Sequence, residues 1–493
     1  MSGAIVVSVC AVYLLACVAL GTLSSRGKAA STSLYVAGDR GLGLLLMYFI
    51  TGATIFSAFA FLGLPGWAYS RGAAAFYILG YGALGFVPFY FLGPRAARLG
   101  RARGFVTQAE MVAARFETPA LAGVMALVSA VAFVPYLALQ MKGAGLVLET
   151  VTDGAVPEAL GAAIVYGVVL VYVLKSGVLG VGWTNTFQGV FMIALAWGLG
   201  LYLPTLRHGS VTVMFEELAA SRPELLAAPG LTSSGQPWHW AEYSSAVIVS
   251  IIGFSAWPHL FMKAFTAKSD ETLRRTVLLY PTFQIFLVPL FLIGFAGVGF
   301  APAPDQADQI LPHLLMRLEL SPWLVGLFCA GALAAGMSSG DAMLHAVASI
   351  TVRDGWVTAL SRRLSPDREL GAIRALVALY LVVAYGVAIL YDGSLVFLLL
   401  SAYGAVVQFM PALIACLYVE RATGAGVLAG LLGGSALTVL FVAFPELRPL
   451  PIHAGLYGVT LNVALLAGVS ALGRPRACSQ TFLREAAGAD AGQ

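Results

Sequence analysis

Ser338 and Ser339 stand side by side in the run Gly331-Ala-Leu-Ala-Ala-Gly-Met-Ser-Ser-Gly-Asp-Ala-Met-Leu344. Two adjacent hydroxyls in a small, apolar stretch offer oxygen ligands without net charge. A hard monovalent cation is satisfied by several neutral oxygens, and carbonyls released from a broken helix can supply the remainder without burying a charge. The small residues before the serines let another backbone come close. Serines of this kind also bond back to their own helix, so the chemistry depends on whether free carbonyls lie nearby.

Two stretches could release them. The run Gly52-Ala-Thr-Ile-Phe-Ser-Ala-Phe-Ala-Phe-Leu-Gly-Leu-Pro-Gly66 holds three glycines and a proline, which weaken or remove main-chain hydrogen bonds that lipid cannot replace. A helix there is expected to break, its freed groups turned toward protein, water or a ligand. Gly253-Phe-Ser-Ala-Trp-Pro258 repeats the pattern. Helix N-termini exposed at such breaks can hold a carboxylate by their amides and positive dipole ends. Gln140, His259 and Gln408 are candidate side-chain donors, and Phe56, Phe59, Tyr136 and Trp257 are aromatics placed to gate a pocket. Lys142 sits well inside an apolar run but within snorkelling reach of an interface.

The elements that must position these residues are membrane helices. Of 493 residues, 59% are hydrophobic and 11% charged, against roughly 25% charged in a soluble domain. A bilayer core of about 30 Å takes about 20 apolar residues, and about thirteen such runs occur, near 3–23, 44–69, 74–97, 119–150, 157–175, 182–204, 241–265, 276–300, 322–350, 371–391, 394–419, 424–445 and 453–473. The first run has no basic n-region and is expected to be a retained helix. Most basic residues fall on one side, among them Arg26, Lys28, Arg40, Arg95, Arg98, Arg101, Arg103, Lys263, Lys268 and Arg353. The chain is therefore expected to be multi-pass in the cell (inner) membrane, with its N-terminus outside and its C-terminus in the cytoplasm.

Several functions are excluded. Basic residues flank helix ends rather than forming one face, which argues against nucleic acid. Five scattered cysteines and six scattered histidines suggest no metal cluster, disulfide framework or enzyme centre. No phosphate-binding loop is present for a primary pump. The outer connection, 205–240, is expected to carry a short helix around Val213–Ala220.

The two breaks lie five segments apart, which suggests an inverted repeat of five plus five helices, each half opening with an interrupted helix. The expected organisation is all-α: an extra helix and loop at 1–43, repeats at 44–204 and 241–419 joined by 205–240, two further helices at 420–473 and a short tail at 474–493.

Leu34-Tyr-Val-Ala-Gly-Asp-Arg40, Gly52-Ala53, Gly63-Leu-Pro-Gly66 and Ala332-Leu-Ala-Ala-Gly-Met-Ser-Ser339 followed by Asp341 together resemble the sodium:solute symporter family, which has a leucine-transporter-like fold. The resemblance implies that sodium is the coupling ion, held by the carbonyls of Ala53, Phe56 and Ala335 and the hydroxyls of Ser338 and Ser339. The family commonly has Asp where Trp183-Thr-Asn185 has Asn185, so one sodium ion per cycle is expected. Pro135-Tyr-Leu-Ala-Leu-Gln140, Trp257-Pro-His259 and Gln408-Phe-Met-Pro411 look like the monocarboxylate-carrying branch, which makes Phe59, Tyr136, Gln140, Trp257, His259 and Gln408 the expected substrate-binding residues. The implied function is symport of a small organic solute by alternating access. The implied partners are that solute and the bilayer, and the implied state is a monomer or weak homo-oligomer. A symporter-like sensor acting through a separate signalling partner is the alternative.

Overall fold

The computed structural model describes residues 2–24, 31–318, 320–391, 402–476 and 478–488. Its principal helices are α1 (Ser2–Leu23), α2 (Leu44–Ile55), α3 (Leu64–Arg71), α4 (Phe76–Gly85), α5 (Val87–Arg103), α6 (Gln108–Phe116), α7 (Pro119–Val151), α8 (Glu158–His208) and α9 (Val211–Ser221). They continue with α10 (Trp240–Phe254), α11 (Asp270–Gln284), α12 (Leu287–Gly297), α13 (Pro322–Ile350), α14 (Pro366–Leu390), α15 (Phe409–Tyr418), α16 (Gly424–Ala443), α17 (Ala454–Leu472) and α18 (Ser479–Ala487). Among the described residues the only β pairing is two isolated bridges. The all-α expectation holds, and α9 covers the short outer helix anticipated around Val213–Ala220.

Among the described residues nine helical stretches are long and apolar enough to cross a membrane, and ten if the bent pair Trp240–Phe254 and Pro258–Phe265 counts as one span. Two features separate that count from thirteen. Helix α8 has 51 residues, roughly 77 Å at about 1.5 Å per residue, more than twice the bilayer core. It turns at Gly177, whose φ of 54° and ψ of −143° are not helical. Only glycine fits, because a Cβ there would lie 2.4 Å from the Tyr35 carbonyl oxygen. The second feature is that α2 and Ala402–Tyr418 are each short of a full span; part of the expected segment 394–419 lies outside the described residues.

Both expected breaks are present. Helix α2 ends at Ile55, a π-helical turn runs from Phe59 to Gly63, and α3 follows with Pro65 in its first turn. Helix α10 ends at Phe254, and the next helix starts at Pro258 after a bend of 42°. Proline is tolerated in a helix's first turn, where its missing N–H would have no intrahelical partner. At the second break the gap lies just before Pro258, whereas at the first it falls at Phe56–Ser57, ahead of the π-helical turn that leads into Pro65.

Helix α13 passes through the centre, wholly buried from Phe328 to Ile350, against α1, α2, α7 and α8. Lipid supplies little drive for apolar helices to associate, so close backbone approach matters. A Cβ on Gly143 of α7 would lie 2.4 Å from the Ala58 Cβ, and one on Gly336 of α13 3.3 Å from the Gln140 carbonyl oxygen. The first break, α7 and α13 therefore meet almost backbone to backbone. At the periphery α16 and α17 form a hairpin, and α17 is largely exposed.

The arginine-rich end is closed by charge. Arg353 bonds Glu110 at 2.5 Å and Glu369 at 2.9 Å, and Thr107, the cap of α6, donates to Asp354 at 2.6 Å. The expected short tail contains a docked helix. In α18, Phe482 is buried beneath the Arg103 guanidinium, Arg103 pairs with Glu485 at 2.7 Å, and Arg115 reaches Ser479 at 2.5 Å. That guanidinium holds the Glu485 carboxyl below the usual carboxylate range.

Candidate functional site

Because α2 stops at Ile55, the carbonyls of its last turn lose their helical partners. They face the serines of α13. Ser338 Oγ lies 2.9 Å from the Ala53 oxygen and 3.1 Å from the Ala335 oxygen, and Ser339 Oγ donates to the Thr54 oxygen at 2.7 Å. Both serines are fully buried. One hydroxyl hydrogen cannot serve two carbonyls fully, so Ala53, Thr54, Ala335, Ser338 and Ser339 form a compact nest of oxygens with spare acceptor capacity.

This set differs from the expected one at a single point. Ser339 bonds Thr54 rather than Phe56. Phe56 caps the end of α2, and its ring lies 4.8 Å from Phe283 and 4.4 Å from Phe286. Asn185 lies alongside, its Nδ2 donating to Thr54 Oγ1 at 3.0 Å and to the Ser338 oxygen at 3.2 Å.

The expected substrate residues divide into those that converge and one that does not. Gln140 Oε1 accepts the freed Ala58 amide at 2.8 Å, which orients the side chain and leaves Nε2 buried with no partner. One turn earlier on α7, Tyr136 lies 5.3 Å from Trp257 of the second break. Trp257 packs on His259 and Tyr403 as well. The Trp257 Nε1 and His259 Nδ1 are likewise buried without partners. Phe59 is buried in the π-helical turn. Gln408 is otherwise committed: its Nε2 donates to Thr438 at 3.1 Å and Gly455 at 3.2 Å, and its Oε1 accepts from Asn462 at 3.2 Å. Its amide holds α16 and α17 to the core.

Some residues of the site were missed in the sequence. Gln108 Nε2 bonds the Ala256 carbonyl at 3.1 Å, doing for the second break what Gln140 does for the first; an isolated glutamine carries no sequence signal for this. Lys263, counted among the loop cations, is buried. Lys142, by contrast, donates to the Tyr391 carbonyl at 2.6 Å, away from the breaks.

Two broken helices on either side of an enclosed centre, with released carbonyls turned to hydroxyls, define the class of helical secondary carriers. The sodium:solute symporter family model matches residues 35–434, and the chain belongs to that family. It is similar to the uncharacterized symporter YhjB of Bacillus subtilis (strain 168), 28% identical over 487 residues with 94% of this chain and 96% of that protein covered. It is also similar to the monocarboxylate transport permease protein of Rhizobium johnstonii (strain DSM 114642 / LMG 32736 / 3841), 22% identical with 92% and 94% covered. In fold it matches a Na+-coupled sialic acid symporter in a substrate-bound outward-open state, with a TM-score of 0.79 at 19% identity over 96% of this chain and 98% of that one.

Proposed function

We propose that this chain imports a small monocarboxylate together with sodium, by alternating access across the cell membrane. The observation that carries the reading is the set of three buried nitrogens left without partners around the two breaks. Gln140 Nε2 and Trp257 Nε1 are donors, and His259 Nδ1 can be one. Buried donors without acceptors are costly, and a carboxylate with its several lone pairs is the small ligand that satisfies them. The likeness to a monocarboxylate permease supports the same substrate class.

Sodium occupies the nest of Ala53, Thr54, Ala335, Ser338 and Ser339. It bridges α2 to α13 and so fixes the first break in the form that receives the substrate. Each sodium ion entering down a potential of 100 mV contributes about 2.3 kcal/mol before its concentration gradient is counted. The N-terminus lies outside, the arginine-rich end and α18 face the cytoplasm, and segments 44–204 and 241–419 are the two moving repeats.

Uptake into proteoliposomes tests the reading. Labelled lactate, pyruvate or propionate accumulates under an inward sodium gradient and not when choline replaces sodium. Equal uptake in both salts, or sodium-driven uptake of neutral solutes only, overturns it.

A further inference from the structure

The arginines of the arginine-rich end are unequally used. In α5 and α6 every arginine has a protein partner: Arg95 donates to the Leu417 carbonyl at 2.8 Å, Arg98 and Arg101 share Asp270, Arg103 pairs with Glu485 and Arg115 bonds Ser479. Arg421 and Arg474 differ. Both are exposed, and among the described residues neither takes part in an ion pair.

These two follow the ends of α15 and α17, and between those helices the packing leaves a gap. A groove of about 910 Å³ is lined by Ile414 and Ala415 of α15, by Val463, Leu466 and Ala467 of α17, and by Arg421. Ile414 is 44% exposed and Val463 49%, so about half of each side chain is left for something other than protein to cover. Helix α17 is a membrane span and Ala402–Tyr418 a shorter apolar helix beside it, which opens the groove to lipid. A second cavity, of about 660 Å³, adjoins the first, because Ala422, Gly473 and Pro475 line both. Its walls are more polar and include Thr118, Thr423, Arg474 and Arg476.

Two carboxylates are near, and each has a partner. Glu117 pairs with Arg476 at 3.5 Å, and Glu420 accepts from Gln480 at 2.6 Å. Three arginines stand against these two acids, so the rim is positive. An apolar groove that continues into a basic pocket is complementary to an amphiphile with an anionic head. A soluble anion would leave the groove uncovered, and a zwitterionic lipid would set its own cation against the arginines.

We propose that this groove binds an anionic phospholipid of the adjoining leaflet, with one acyl chain between α15 and α17 and the phosphate held by Arg421 and Arg474. Arginine suits the task, because its planar fork takes a phosphate through two parallel N–H bonds. Gln408 fastens the α16–α17 hairpin to the core near the start of α15, and the lipid fastens it at the other end. Neither the cargo nor the coupling ion enters into this.

The test uses the purified full chain in nonionic detergent, with dioleoyl phosphatidylglycerol as the probe, dioleoyl phosphatidylcholine as the zwitterionic control and glycerol 3-phosphate as the headgroup alone. Bound lipid is counted by native mass spectrometry, and Tm is followed as lipid is added. Phosphatidylglycerol gives one saturable adduct and raises Tm, and the two controls do neither at the same concentration. Arg421→Gln combined with Arg474→Gln raises the half-saturating phosphatidylglycerol concentration about thirtyfold, the effect of two arginine contacts at an anionic surface. The lipid-free Tm stays unchanged, since both side chains are exposed. Ala467→Trp, also at an exposed position, fills the groove and weakens binding about tenfold, the loss of roughly two buried methylenes. An unchanged half-saturating concentration in the arginine double variant or in Ala467→Trp overturns the proposal, as does equal binding of phosphatidylcholine. A rise in Tm with glycerol 3-phosphate equal to that with the lipid shows a site for soluble anions and overturns it as well.

Discussion

Three side-chain nitrogens at the breaks, on Gln140, Trp257 and His259, are buried without partners. Oxygens without partners are buried too, on Gln108 at the second break and along α8 and α13 on Asn185, Gln188 and Asp341. Trp257→Phe keeps the ring stack with Tyr136 and removes one N–H. Because a hydrogen bond to a charged group is worth about 1.5–3 kcal/mol, the half-saturating carboxylate concentration in uptake assays should rise about tenfold or more, with sodium dependence unchanged. A smaller rise than about twofold would remove Trp257 from the substrate contacts. The serines were legible in the sequence because adjacent hydroxyls stand out in an apolar helix. The state of an amide was not: Gln140 and Gln408 look alike as residues, and only their neighbours show that one is half free and the other fully engaged.

At the scale of helices, glycine and proline made the breaks visible, because their backbone effects do not depend on distant partners. The exact gaps are Phe56–Ser57 and Ser255–Trp257; the second ends where Pro258 opens a new helix, and the first precedes a π-helical turn that no residue type announces. The apolar runs 157–175 and 182–204 are separate in the sequence, whereas the backbone continues from one to the other through Gly177, a single residue at positive φ. Packing density also sets a prediction here. A Cβ on Gly340 would sit 2.3 Å from the Tyr166 hydroxyl, which itself donates to the Gly336 carbonyl at 2.9 Å. Gly340→Ala therefore forces α8 and α13 apart, at about 1–3 kcal/mol by the usual cost of overpacking, and lowers Tm. Because α13 carries Ala335, Ser338 and Ser339, sodium raises Tm less than in the native chain. An equal rise with sodium would show that the shift of α13 does not reach the nest.

Across the whole molecule, the ends differ in what closes them. The arginine-rich end is held by the Arg353–Glu110–Glu369 cluster and by Thr107 with Asp354. Its ion pairs are partly buried, where losing one partner leaves a charge uncompensated. Glu110→Gln should open this end more often. Amide hydrogen exchange in residues 104–110 and 351–359 is expected to quicken severalfold, with no change in the exposed hairpin α16–α17. Unchanged exchange would mean that helix packing alone holds the closure. Little of this clamp could be read from the chain, since Glu110, Arg353 and Glu369 are far apart in sequence and each passes for an ordinary charge flanking a membrane helix.

Helix α18 has a consequence for the order in which the molecule is made. Residues 479–487 follow every membrane helix in the chain, yet they occupy Arg98, Arg103 and Arg115, which belong to α5 and α6. Arg103 and Arg115 therefore reach these contacts only after α18 has been synthesised. A nascent chain interrupted between α17 and α18 would hold the described spans and the oxygens of the nest, with Arg98 and Arg101 still paired to Asp270 but Arg103 without Glu485 and Arg115 without Ser479.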